Sequence, residues 1–336
     1  MTLVLIIILI AFLFDFLNGM NDAANSIATV VSTRVLTPRL AVAWAAFFNF
    51  VAAFGFGVAV ATTIGRGIVD PGIINEELVL SALAGAIVWS YLCTHFGIPI
   101  SVSHALIGGL AGAAVVKAGV GSLIVSGISK VVVFIFLSPL IGLAVSFLLM
   151  IGVSWVFRGW SGRRVDRFFR IGQLVSSAAY SLGHGTNDAQ KTMGIISVLL
   201  FSTKANVPVW MYDKSLGFHV PFWVIIAAYT AIGLGTLTGG WRVIRTMGVK
   251  LTHLKPVGGF CAETGGAMVL LGTAMSGIPV STTHTIAGSI MGVGATRRMS
   301  AVRWGIAGKI VVAWILTIPT SAAVAALVYY LFSQLM

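Results

Sequence analysis

The sequence is poor in charge: of 336 residues, only 9% are Asp, Glu, Lys or Arg, and just nine are acidic. Soluble domains carry about 25% charged residues, so a water-soluble enzyme of this length is excluded. Cysteine is nearly absent. Cys93 and Cys261 both lie in apolar stretches without a CxxC or Cys/His spacing, so neither a disulfide framework nor a thiolate metal site follows. The run from Leu3 to Phe14 has no basic n-region and no A-x-A cleavage signal, and reads as the first half of a membrane helix rather than a signal peptide. What is plentiful is apolar: 58% hydrophobic residues, a mean hydropathy of +1.01, and 39 glycines suited to close helix packing in a bilayer. The chain reads as an all-α polytopic membrane protein surrounded by lipid. Its net charge of +12 then points to cytoplasmic loops and not to a nucleic-acid partner.

The apolar segments are 2–30, 40–64, 78–96, 98–117, 122–157, 172–202, 220–240, 257–276, 278–295 and 304–333. A straight helix needs about 20 residues to cross the ~30 Å core. The first and sixth are longer and carry Asn18-Gly19 and His184-Gly185 near their middles, which reads as two helices broken at membrane depth. Segments 78–96 and 98–117 are separated only by Gly97-Ile98-Pro99, and 257–276 and 278–295 only by Gly277-Ile278-Pro279. Each pair reads as a re-entrant hairpin (78–117 and 257–295), a form tolerated only where protein or a wet cavity satisfies its backbone. With the N-terminus outside, loops 31–39, 158–171, 241–256 and 296–303 are cytoplasmic and hold 14 of the 21 basic residues. Both termini then lie outside a plasma or inner membrane, and the central basic loop lies inside.

The chain repeats itself. Gly97-Ile-Pro-Ile-Ser-Val-Ser-His104 returns as Gly277-Ile-Pro-Val-Ser-Thr-Thr-His284, and 97–112 matches 277–292 at seven of sixteen positions. Gly19-Met-Asn21-Asp22-Ala-Ala-Asn25 returns as Gly185-Thr-Asn187-Asp188-Ala-Gln-Lys191. The loop assignment runs the two Asn-Asp helices in opposite directions. Residues 1–157 and 172–336 are therefore expected to be inverted-topology repeats joined by a basic linker, 158–171, the architecture of secondary transporters.

Ionisable groups inside a membrane cost about 2.5–3.5 kcal/mol on insertion scales and invite a functional reading. Asp22, Asp188, Lys191 and Glu263 qualify by depth; Asp15, Lys130 and Lys309 are further charges in apolar segments. Asp22 and Asn25, with Asp188 and Glu263, suit a coupling cation or a proton; the bland alternative is a buried cap. Lys191 stands where the first repeat has Asn25, and can replace a cation, pair with Asp188 or touch an anion. Ser101-Val102-Ser103 and Ser281-Thr282-Thr283 each open a Gly-rich helix. Free amides, hydroxyls and a helix dipole there make an anion receptor, to which Asn21, Asn187 and Lys191 are added as substrate ligands. His104 and His284 follow as supports of hairpin geometry. No metal site is assigned and no cofactor is expected.

With these four motifs in order over essentially the whole chain, the sequence resembles the inorganic phosphate transporter (PiT) family. The resemblance implies an inverted-repeat carrier, often a homodimer, that takes up phosphate with H⁺ or Na⁺, in some members as a metal–phosphate complex. Lys191 replaces the Asn of sodium-coupled members, and Asn49 stands where animal members have a glutamate. Both favour proton coupling; sodium coupling and a sulfate-selective branch are the alternatives. An intramembrane hydrolase built on Ser103-His104 or Thr283-His284 fails because adjacent helix residues do not face each other. An anion channel does not need paired intramembrane carboxylates.

Overall fold

The computed structural model describes residues 1–204 and 207–335. Among these, helices are the only regular elements apart from one isolated bridge between Val69 and Leu123. Helices α1 (Thr2–Ser32), α2 (Pro38–Val51), α3 (Ala59–Gly67), α4 (Glu76–Phe96), α5 (Val102–Ala118) and α6 (Val125–Val156) form one succession. It recurs as α7 (Gly162–Ser202), α8 (Phe222–Thr238), α9 (Trp241–Arg245), α10 (Pro256–Met275), α11 (Thr282–Ala295) and α12 (Trp304–Leu335). Among the described residues, five helices (α1, α4, α6, α10 and α12) are long and apolar enough to cross a membrane, or up to seven spans if the bent pairs α2–α3 and α8–α9 each count as one.

The breaks lie elsewhere than the sequence suggested. Helices α1 and α7 run uninterrupted through Asn18-Gly19 and His184-Gly185. Without water, a broken helix leaves amides and carbonyls unsatisfied at several kcal/mol each, more than the roughly 1 kcal/mol that Gly costs in a helix. The glycines serve close approach instead. A Cβ on Gly19 would sit 2.2 Å from Ile232 O, and one on Gly185 would sit 2.6 Å from Asn49 O. The real breaks fall in the next element of each half. The span expected at 40–64 bends by 82° between α2 and α3, and α8 bends by 65° into α9 and its π turn, Thr246–Lys250. The loop expected at 241–256 is thus helical over its first ten residues. The linker expected at 158–171 is likewise already α7 from Gly162 onwards.

At the α2–α3 break, Gln190 of α7 caps the new helix: its Oε1 accepts from the amides of Val60 (2.9 Å) and Ala61 (3.3 Å), while its Nε2 donates to Gly57 O at 2.7 Å. Each Gly-Ile-Pro ends a helix. Gly97 (φ +69°) and Gly277 (φ +65°) take the left-handed conformation, and the amides of Ile98 and Ile278 close back onto Cys93 O and Thr273 O at 2.9 Å. The proline then prevents continuation.

The two successions are interleaved. Hairpin α4–α5 packs against α12, and hairpin α10–α11 packs against α6, so each half's last helix holds the other half's hairpin. Small residues allow this. A Cβ on Gly108 or Gly112 would lie within 2.3 Å of Ser321 or Ala322, and one on Gly288 or Gly292 within 2.2 Å of Pro139 or Leu143. The bent pairs also cross over: Thr63 Oγ1 donates to Gly277 O at 2.7 Å, and Thr246 Oγ1 to Gly97 O at 3.0 Å.

Candidate functional site

Helices α1 and α7 meet antiparallel in the centre: Asp22 faces His184 and Asp188, and further along Thr33 Oγ1 donates to Gln173 Oε1 at 2.8 Å. The two Asn-Asp motifs therefore converge on one point, completely buried. His184 Nε2 lies 3.2 Å from Asp188 Oδ2 and 4.0 Å from Asp22 Oδ2. The tautomer of His184 follows from a chain of bonds. Thr236 Oγ1 donates to Ile232 O (2.8 Å) and so accepts from Asn49 Nδ2 (3.0 Å), which turns Asn49 Oδ1 towards His184 Nδ1 at 3.1 Å. Nδ1 therefore carries hydrogen. The remaining nitrogen, Nε2, points at two carboxylates, so a proton or a cation belongs among these three acceptors. Their ligand atoms lie within 4.8 Å of one another.

Both hairpin tips reach this point. Ser101 and Ser281 cap α5 and α11, accepting from the amides of His104 and His284 at 3.2 Å. The next hydroxyls bind the acids: Thr282 Oγ1 reaches Asp188 Oδ2 (2.9 Å) and Asp22 Oδ2 (3.3 Å), and Thr283 Oγ1 reaches Asp22 Oδ1 (3.2 Å). Asn25 Nδ2 donates to Thr283 Oγ1 (2.9 Å) and Thr282 Oγ1 (3.2 Å), so the first half grips the second half's tip. Its twin Lys191 grips both tips. Its ammonium donates to Ser103 Oγ, Asp188 Oδ1 and, at 2.9 Å, Val280 O. The arrangement can exchange a proton among carboxylates and imidazole, and it presents an ammonium, hydroxyls and two helix N-termini to an anion.

The family profile described as "Phosphate transporter family" matches residues 18–325. The chain belongs to that family. The transporter is 56% identical, over 93% of its own length and 91% of the relative's, to a "Probable low-affinity inorganic phosphate transporter" of Rhizobium meliloti. It is 41% identical to a protein of the same name from Bacillus subtilis, over 99% and 98% of the two chains. Among solved structures it is similar to "The sodium-dependent phosphate transporter", with a TM-score of 0.89, 27% identity and full coverage of both chains. The transporter is thus a multi-pass membrane protein and not an enzyme.

In this transporter the predicted residues divide into three groups. Asp22, Asn25, Asp188, Lys191, Ser103, Thr282 and Thr283 are brought together at the centre, with Ser101 and Ser281 as caps and Val102 in the first turn of α5. Asn21 and Asn187 instead tie each central helix to its own hairpin: Asn21 Nδ2 donates to Thr94 Oγ1 at 2.5 Å and Asn187 Nδ2 to Leu270 O at 2.8 Å. Their Oδ1 atoms remain buried without a partner. Glu263 is separate, in a buried pocket where Thr29 Oγ1 (2.5 Å), Gln173 Nε2 (3.0 Å) and Ser176 Oγ all donate to it. His104 and His284 meet each other edge to face, with centroids 4.8 Å apart, and His284 stacks on Trp314. They join the two hairpins and do not touch the acids.

Sequence reasoning missed His184 and Gln190 as site residues, although His184 immediately precedes the second motif and Gln190 stands inside it. Asp22, His184 and Asp188 form a donor set that could take a metal ion. The Lys191 ammonium already on Asp188 disfavours a multivalent cation there.

Proposed function

We propose that this chain imports inorganic phosphate, coupled to protons, by alternating access between halves 1–157 and 172–336. The observation that carries the coupling is the convergence of His184 Nε2, Asp22 and Asp188, beside a lysine that neutralises one acid. With His184 neutral, the two aspartates and Lys191 sum to a charge of −1 (−2 + 1). A phosphate anion added to that buried cluster meets repulsion in a low dielectric. One proton bound there brings the cluster to zero before the anion enters. A phosphate held between Ser103, Thr282, Thr283 and Lys191 would replace their present bonds to Asp22 and Asp188. That links anion binding to proton uptake on the acids.

Inversion of the halves is supported by the antiparallel α1 and α7 and by the reciprocal bonds from Asn25 and Lys191 to the tips. Re-entrance of the hairpins is supported by the 17 residues of α5 and 14 of α11, both short for a span. The basic stretch 158–171 then faces the cytoplasm of a plasma-membrane protein, with both termini outside. The homodimer implied by the family resemblance belongs to the same proposal.

The test is ³²P-phosphate uptake into proteoliposomes, with pH and Na⁺ gradients imposed separately and excess sulfate as competitor. Uptake driven by an inward proton gradient, indifferent to Na⁺ and sulfate, is expected. Uptake that requires Na⁺ would overturn the proton assignment, and accumulation of sulfate in place of phosphate would overturn the substrate.

A further inference from the structure

One buried charge plays no part in the site described so far. Asp15 of α1 is 0% exposed, and neither of its carboxylate oxygens has a hydrogen-bond partner. Its nearest polar neighbours are Asn18 and Thr192, and the side-chain oxygens of both are also buried and unpartnered. The Thr192 hydroxyl and the Asn18 amide can each donate as well as accept, but neither closes a hydrogen bond onto Asp15 here. A carboxylate there would be uncompensated, which is costly in a membrane interior. A carboxylic acid, by contrast, has a hydrogen to donate to Asn18 Oδ1. The titratable groups that face Asp15 are Asp188 and Lys191 of α7 and Tyr229 of α8. Asp15 thus adjoins the central cluster without belonging to it.

Its position along α1 gives it meaning. Asp15, Asp22 and Thr29 are spaced by seven residues, two helical turns or about 10 Å, and so fall on one face. Thr29 holds Glu263. Three carboxyl stations therefore lie in file along the α1–α7 seam: Asp15, then Asp22 with Asp188, then Glu263. The two ends are opposites. Asp15 has no hydrogen bond on either oxygen, the setting of an acid that holds a proton. Glu263 receives three donors, the setting of a carboxylate that has released one.

We infer that Asp15 is the outer station of a proton path along the α1–α7 seam, passing protons to Asp22 and Asp188, with Glu263 as the inner station. The inference rests on the proton-coupled reading above and adds a residue to it. At each transfer one O–H bond breaks and another forms; across the roughly 10 Å between stations water carries the proton, and the bulk phase supplies and receives it.

The experiment compares wild type with Asp15→Asn in proteoliposomes, in two assays. One is net phosphate accumulation driven by a pH gradient. The other is phosphate–phosphate counterflow at equal pH, which requires substrate binding and alternation but no net proton movement. The variant is expected to lose accumulation by roughly a hundredfold, the low end of what a positioned proton carrier contributes, while keeping counterflow. Asp15→Glu is expected to restore accumulation. If Asp15→Asn does not reconstitute as folded protein, Asp15→Ser is used, since the second repeat carries Ser181 at the equivalent place. Accumulation equal to wild type, or a parallel loss of counterflow in folded variant, would overturn the inference. A wild type driven only by Na⁺ would instead overturn the proton-coupled reading. The same two assays under a Na⁺ gradient would then decide whether Asp15 serves the cation path.

Discussion

Replacing Lys191 with Asn makes the second repeat copy the first at its central cation. Lys191 is 1% exposed, and its ammonium bonds Asp188, Ser103 and Val280 O. Removing one partner of a buried ion pair costs about 3–5 kcal/mol, because the remaining charge is left uncompensated. At about 1.4 kcal/mol per factor of ten, the lower bound corresponds to roughly a hundredfold. If Lys191 stands in for a bound cation, an added cation should recover much of that loss. Lys191→Asn is therefore expected to reduce pH-driven phosphate uptake at neutral pH about a hundredfold in Na⁺-free buffer. Added Na⁺ should restore part of it, and the ratio of cations to phosphate should rise by one. Proteoliposome uptake at a series of Na⁺ concentrations measures this directly. A folded variant that no cation rescues, or one that transports as well as wild type without Na⁺, would refute the reasoning.

Gln190→Leu strips the cap from α3, leaving the amides of Val60 and Ala61 and the carbonyl of Gly57 without their partner. At about 1–3 kcal/mol per orphaned buried group, thermal unfolding in detergent should shift down clearly, and an unchanged midpoint would show that something else holds the break. Gly288→Val places a Cβ about 2.1 Å from Pro139 O, against backbone that cannot yield. It should cost at least the ~1–3 kcal/mol typical of overpacking and abolish monodisperse protein in size-exclusion runs, whereas Gly305→Ala, with nothing within 4 Å, should not. Glu263→Gln turns an acceptor of three donors into an amide whose own N–H faces a donor. Destabilisation of about 1–3 kcal/mol is expected by thermal unfolding, and a midpoint equal to wild type would argue that Glu263 is held protonated.

Much of the site was legible because its chemistry is written in short motifs. Asp22, Asn25, Asp188, Lys191 and the two hydroxyl-bearing helix starts are adjacent to Gly, Pro or Asn signals that keep their meaning in a membrane. The misplaced breaks show where those signals change meaning. Asn-Gly marks a turn where water can take up the freed backbone groups, but within an apolar chain the helix continues and the glycine admits a neighbour. The true breaks carried a signal too. Gly55 and Gly57, and Gly239-Gly240, sit at the bends, inside stretches so uniformly apolar that periodicity could not distinguish one bent span from one straight span. The exchange of last helices between halves had no local pattern at all. Its trace was a matched pair of prolines, Pro139 in α6 and Pro319 in α12: Pro139 itself meets Gly288 of α11, and Ile318, next to Pro319, meets Gly108 of α5.

The positions at which the two repeats agree and disagree divide by chemistry. Ser101 and Ser281, His104 and His284, and Asp22 and Asp188 are preserved as pairs, and they build the two tips and the acids on which the tips converge. A tetrahedral anion presents similar faces to two inverted halves, so a nearly symmetric clamp suits it. Among the unmatched positions are Asp15 against Ser181, Asn18 against His184, Asn25 against Lys191, Thr29 against Ile195 and Leu83 against Glu263. Each of these sets where positive charge can reside along the α1–α7 seam. A symmetric carrier would offer a cation equivalent stations in both halves and give it no preferred route between them. On the proton-coupled reading, the substitutions that spoil the repeat make the route directional, with an unpartnered acid at one end, a lysine-locked pair in the middle and a donor-lined acid at the other.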